Sequence, residues 1–260
     1  MSERQKGVTT YLFRNTLRQM GYVFAWTLFG MLLIPLMIEI LTTNQSIDFA
    51  GELRNFSLGP VLLIILAIVS MRNYDNFQFM IQNGVSRKMF WQSKMIVLVI
   101  AALTTQLLGY LYRCLISIFL GADDWQKASL YMMSYGKFAG AAIINQILAI
   151  IFSLLFAIAL VLGADLIGSI FSLFPKKQKY LIGVALLTLG VVGLTALSNW
   201  SAQHQQQALA VFGLLSGYSR QRAVHASLNP TMPFMELIGV IVISLLGTCL
   251  TFKHFQIRND

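Results

Sequence analysis

The chain has 260 residues, of which 57% are hydrophobic and only 11% charged, with a mean hydropathy of +0.68. A soluble domain carries roughly 25% charged residues, so the composition excludes a water-soluble globule and specifies an integral membrane protein. The formal net charge of +9 raises nucleic-acid binding as a second explanation, and the distribution of those charges along the chain answers it below.

The chain opens with a basic, amphipathic segment, residues 1–20, in which Tyr11, Leu12, Leu17 and Met20 are interleaved with Arg14 and Arg18. Six apolar runs follow, at 21–41, 56–71, 95–120, 138–162, 180–197 and 234–252. A helix needs about 20 residues to cross the hydrocarbon core. The second run is short, so its helix is expected to continue through Arg72 and Asn73. The fourth extends toward Leu173, with Gly163 marking a kink or the start of an interfacial piece. The first run is too long for the apolar core of a signal peptide and no small-residue cleavage site follows it, so it is expected to be a retained span. The expected fold is all-α: one transmembrane domain over residues 1–260, with six membrane-spanning helices.

Lys and Arg set the orientation. Most of the 19 fall in the N-terminal segment, after runs 2 and 4, and in the C-terminal tail, while Glu39, Asp48, Glu52, Asp123, Asp124 and Glu236 fall on the other side. The positive-inside rule makes the first set cytoplasmic, with both termini inside. Topology accounts for the basic balance and no nucleic-acid partner is expected. Cys114 and Cys249 lie inside apolar runs and read as small apolar packing groups; there is no CxxC pair.

Between runs 2 and 3 lies the cytoplasmic stretch 74–94, YDNFQFMIQNGVSRKMFWQSK. Tyr74, Phe77 and Ile81 are spaced i, i+3 and i+7, on one helical face, and Phe79 and Met80 widen the apolar surface. Asn83-Gly84 is a helix stop. Ser86 is placed to cap a new helix running into the third span, with Arg87, Lys88 and Lys94 at headgroup level and Trp91 in the interfacial aromatic belt. A short amphipathic helix of this kind either lies in the headgroup layer or docks into a groove on a soluble partner; periodicity does not separate the two.

This stretch, with its NGVSRKMFWQSK half, resembles the loop after the second helix in six-helix permease subunits of ABC transporters of the ABC-2 type. The basic N-terminal helix, the long outer segment 198–233 with Asn229-Pro230, and the short basic tail are similar in architecture. The resemblance implies a coupling helix seated in a cleft of a cytoplasmic ABC ATPase. Tyr74, Asp75, Phe77, Phe79, Met80 and Ile81 would make the contact, Asn83 and Gly84 would set the turn, and Arg87 would meet ATPase acids or lipid phosphate. It also implies an N-terminal helix along the inner leaflet, a second permease chain, identical or related, and a bacterial cytoplasmic membrane as the location. ATP would belong to the partner subunit; this chain is expected to hold no cofactor.

The chemistry of an enzyme is missing. A phosphate-binding loop needs G-x-x-x-x-G-K-[ST], but Gly136-Lys137 is followed by Phe138 and the first Gly position is Tyr131. An intramembrane serine protease needs a Ser and a His base at membrane depth, and His204, His225 and His254 all lie in loops or the tail. The Gly213-Leu-Leu-Ser-Gly217 stretch carries one residue too many for a Gly-x-Ser-Gly motif, and no HExxH is present.

Polar residues at membrane depth are few. Arg113 either snorkels to the outer headgroups or lines an outer vestibule. Asp165 is expected to pair with Lys176, Lys177 and Lys179 or with surface water. Asn145 and Gln146 either bond between helices or line a path. Residues 1–130 and 131–260 show no repeat, which disfavours an ion-coupled carrier built from inverted halves. In the outer segment, the apolar patch 208–215 is too short to span and is expected to be a surface helix or a partly inserted gate. The expected function is export as an ABC permease subunit, with a membrane-embedded binding or immunity protein and an ion-coupled carrier as alternatives.

Overall fold

The computed structural model describes residues 2–30, 37, 56–72, 74–120, 129–136, 138–217 and 229–255. Among these every regular element is a helix: α1 (Glu3–Leu28), α2 (Leu58–Ser70), α3 (Tyr74–Gln82), α4 (Arg87–Leu120), α5 (Leu130–Tyr135), α6 (Ala142–Ser172), α7 (Lys176–Gln203), α8 (Gln205–Leu215) and α9 (Thr231–His254). Four are long and apolar enough to cross a membrane, at Arg87–Phe119, Ala142–Ser172, Tyr180–Gln203 and Thr231–His254. A fifth span forms if α2 and α3, bent by 52° at their junction, are taken together. This is the pattern of a multi-pass membrane protein. Residues 31–36 and 38–41 of the expected first span, 21–41, lie outside the described residues.

The elements form where apolar spacing and caps dictate, with three corrections. The basic segment 1–20 is no separate element: α1 runs without a break from Glu3, behind a Ser2 cap whose side chain accepts from Gln5 N, to Leu28. No Gly or Pro chemistry at Met20-Gly21 forces a stop, and Met20 is already buried in the bundle. α6 continues as one helix past Gly163, where the nearest neighbour is Ser244 on α9. Small residues in apolar helices permit close packing, and α6–α9 is the most extensive helix pair. The third correction is that α2 stops at Ser70 and does not continue through Arg72.

That stop has a physical cause. The carbonyls at a helix C-terminus lack partners within the helix and carry partial negative charge. α2 has no basic residue in its last turn, but Lys94 on α4 donates from Nζ to Ser70 O at 3.2 Å. Ser70 Oγ bonds to Ala67 O at 2.7 Å. Gly168 of α6 sits so close to Met71 that a Cβ there would collide with the Met71 backbone. A parallel close approach, Gly59 on Gly109, joins the other ends of α2 and α4.

Lys94 also pairs with Asp165 on α6, Nζ to Oδ1 2.6 Å, with side chains 8% and 0% exposed. Both expectations for these residues change: Lys94 is buried inside the bundle instead of standing at the headgroups, and it is the partner of Asp165. Around the pair lies one apolar core containing Met20, Leu66, Val69, Leu98, Ala157 and Leu162. Removing one member of a buried pair strands the other charge, at a cost of about 3–5 kcal/mol, whereas replacing both with apolar groups is often neutral. Asp165→Ala is therefore expected to lower stability by that amount, and Lys94→Met with Asp165→Leu to recover most of it. Unfolding of detergent-solubilised protein on titration with SDS measures both.

Candidate functional site

Two places gather chemistry-bearing side chains, one at each end of the bundle. The first is α3. A nine-residue helix is marginal by itself, so tertiary packing must hold it. Phe77 is fully buried and Met80 is 5% exposed. They pack into a cluster with Val8 and Leu12 of α1, Phe90 and Val97 of α4, and Phe252 and Phe255 at the end of the chain's last described helix. Phe77 meets Phe255 edge-on at 5.0 Å between ring centroids and Phe90 at 5.6 Å, within the range favoured by aromatic pairs.

The turn after α3 is fixed by backbone chemistry. Gly84 adopts φ 73°, a left-handed conformation that glycine tolerates. Val85 N donates to Met80 O at 3.0 Å and Gly84 N to Ile81 O at 2.9 Å, the paired bonds of a Schellman cap. Met80 and Val85 are in the same cluster, which supplies the apolar contact that accompanies such a cap. Asn83 Nδ2 bonds Phe79 O at 2.8 Å. Ser86 Oγ accepts from Met89 N at 3.2 Å, so Ser86 caps α4 as its position in the sequence implies.

Further bonds tie α3 to its neighbours. Asn15 of α1 donates to Asn76 Oδ1 at 2.8 Å, and Arg4 donates to Gly84 O at 2.7 Å. Tyr11 stacks on Phe79 at 5.4 Å. Arg87 donates to Lys253 O at 2.6 Å, where it satisfies a carbonyl at the end of α9. Trp91 is half-buried, its Nε1 donating to Thr248 Oγ1 of α9 at 3.2 Å.

The face that the spacing of Tyr74, Phe77 and Ile81 directs at a partner is thus the face with which α3 docks onto its own chain. Tyr74 and Ile81 are half-buried; Asp75, Phe79, Asn83 and Gly84 remain exposed, Phe79 by 47%. The helical period identifies the buried face correctly but does not say what buries it.

The second place is a cleft of about 210 Å³ where the start of α2, the later half of α4, α5 and the first half of α6 meet. Arg113, Gln106, Tyr110, Ser129, Tyr131 and Ser153 supply its polar lining. Tyr110 Oη and Ser153 Oγ share a hydrogen bond of 2.5 Å, and Gln106 Nε2 donates to Ser153 O at 3.4 Å. Among the described residues no carboxylate pairs with Arg113. Tyr131 is fully buried and its hydroxyl has no partner among the described residues. Burial, and secondarily Tyr135, pushes its phenol above the ordinary value, so it stays protonated and can donate.

Of the residues expected to line a path, only Arg113 lines this cleft. Asn145 is 3% exposed and clasps the turn before α6: its Nδ2 donates to Gly136 O at 2.6 Å and its Oδ1 accepts from Ala139 N at 3.1 Å. Gln146 is half-buried beside it and is not part of the lining. Sequence reasoning missed Tyr131, Tyr110 and Ser153, whose only signal was a hydroxyl within or beside an apolar run. In the segment 198–233, α8 follows α7 after a break at His204, whose ring stacks on Trp200 at 5.8 Å; residues 218–228 lie outside the described residues.

Comparison of the chain with protein-family models, with curated proteins and with solved structures found no match.

The packing distinguishes neighbouring phenylalanines sharply. Phe77→Ala opens a cavity in a closed cluster and is expected to cost about 3–5 kcal/mol. Phe79→Ala loses one exposed stacking contact, worth about 1 kcal/mol or less. Fluorescence-monitored thermal unfolding in detergent should show a large fall in midpoint for the first variant and a small one for the second.

Proposed function

We propose that the chain is the membrane-spanning permease subunit of an ABC transporter, an exporter powered by a separate cytoplasmic ATPase subunit. The observation that supports this reading most is the construction of α3: a short helix bent from the preceding span, closed by a glycine cap, and clamped by α1, α4 and the end of α9. An interfacial helix needs no such clamping, because lipid imposes no fixed shape. A helix that transmits force from a partner must be rigidly joined to the spans it moves.

In this reading the run at 21–41 and α2 without α3 supply the two spans beyond the four long helices, and both termini and α3 are cytoplasmic, as the Lys and Arg distribution favours. The ATPase meets the exposed rim of α3, Asp75, Phe79 and Asn83, with Tyr11 beside it, while Phe77 and Met80 carry the motion inward. ATP binds in that partner; the chain itself has no phosphate-binding loop. A second permease chain stands beside this one in a bacterial cytoplasmic membrane, and α7, none of whose apolar window is buried within the chain, leaves surface for it or for lipid. The cargo path runs between the two permease chains.

The test uses the exposed rim. Phe79→Asp is expected to leave the protein folded and inserted but to abolish co-purification of an ABC ATPase and transport-linked ATP turnover in liposomes. A charge left unpaired in an interface costs about 3–5 kcal/mol, about two to three and a half orders of magnitude in affinity at roughly 1.4 kcal/mol per tenfold. Retention of both properties overturns the proposal, and a folded protein that never associates with an ATPase favours the membrane-embedded binding protein. Cysteine labels separate the topologies independently: Ser86→Cys should react only from the cytoplasm and His204→Cys only from outside.

A further inference from the structure

The cleft lined by Arg113 presents donors and few free acceptors. Tyr110, Ser153 and Gln106 are engaged with one another, which leaves Arg113, Ser129 and the unpartnered Tyr131 hydroxyl among the polar groups of the lining. A guanidinium has five N–H donors in a planar fork and no acceptor, and a buried neutral phenol without a partner has a strong requirement for an acceptor. The complement is a group rich in oxygen acceptors and negatively charged.

Apart from two glycines, the remaining lining is apolar: Pro60, Leu63, Phe152 and Phe156. On α4 the neighbouring face carries Leu107, Leu111 and Leu115, exposed by 58%, 51% and 53%, so the cleft adjoins a lipid-facing surface. Its volume, about 210 Å³, lies below the roughly 300–1,000 Å³ of sites that enclose a drug-sized ligand. It suits a head and the first part of a tail. Arg113 lies roughly 28 Å along α4 from Lys94 at 1.5 Å per residue, near the ~30 Å hydrocarbon thickness.

We infer that this cleft binds the anionic head of an amphiphile, a carboxylate or phosphate on an acyl chain, with Arg113 and Tyr131 as donors and the chain leaving along Leu63 and the exposed leucines of α4. The site does not depend on ATPase association. Snorkelling alone gives Arg113 a use but leaves the Tyr131 hydroxyl unanswered.

The full chain in phosphatidylcholine nanodiscs, titrated with radiolabelled dodecanoate, tests this directly. Saturable binding is expected, weakened about tenfold by Tyr131→Phe and at least as much by Arg113→Gln. Tyr131→Phe removes a hydroxyl with no partner among the described residues and should leave thermal stability unchanged, which separates loss of a ligand from loss of fold. Replacing part of the phosphatidylcholine with phosphatidylglycerol identifies the source: competition means that the site accepts bilayer phosphate, and its absence that it selects a free carboxylate amphiphile. Absence of saturable binding, equal binding of dodecyltrimethylammonium, displacement by inorganic phosphate as effectively as by unlabelled dodecanoate, or full affinity in both variants overturns the inference. If binding is found but no ATPase associates, the site stands and the transporter reading falls.

Discussion

Lys94 and Asp165 constrain the rest of this structure. Each is buried, and an isolated charge in an apolar bundle is expensive enough that helices must arrange themselves to pair it. The 2.6 Å contact fixes α4 against α6. The same ammonium reaches Ser70 O, so it also fixes where α2 ends, and its Nζ lies 5.8 Å from the centre of the Phe252 ring on α9. Four helices meet at one cation. Apolar packing alone would not specify that arrangement, because lipid tails compete with apolar side chains on nearly equal terms.

Termination of α2 at that cation is what makes room for α3. The chain bends by 52° and places Phe77 among Phe90, Phe252 and Phe255. α4 then begins at the Ser86 cap and continues without a break to Leu120. One helix therefore connects the aromatic cluster under α3, the buried ion pair and the Arg113 cleft. In the proposed function, a push on the rim of α3 passes into α4 through buried side chains, and reaches the far end of the bundle along one continuous helix.

Much of this was legible in the sequence. Four of the six apolar runs correspond to helices long and apolar enough to cross a membrane; Asn83-Gly84 and Ser86 marked the end of α3 and the start of α4; and the i, i+3, i+7 spacing found the apolar face of α3. What was not legible is which surface covers that face. Phe77 carries the same periodic signal whether it meets lipid, a partner or Phe255, because periodicity encodes a face and not its neighbour. Lys94 and Asp165 are separated by 71 positions (165 − 94), and a local reading assigned each to the nearest water or charge. Asn145 looked like a path residue because amides inside apolar runs attract functional readings, yet it serves the backbone of the turn preceding its own helix. The cleft was represented by Arg113 alone, since Tyr131 falls outside the apolar runs.

The central claim is that α3 is a fixed part of the chain before any partner arrives. Hydrogen–deuterium exchange of the purified protein in lipid nanodiscs, without an ATPase, measures this most directly at the amides of residues 78–85. A nine-residue helix lying loosely on lipid opens readily and exchanges fast. A helix clamped by α1, α4 and the end of α9 opens only when that cluster opens. The account predicts protection comparable to the first turns of α4, and its loss on Asp165→Asn. Exchange in the wild-type protein at rates close to those of an unstructured peptide would contradict it.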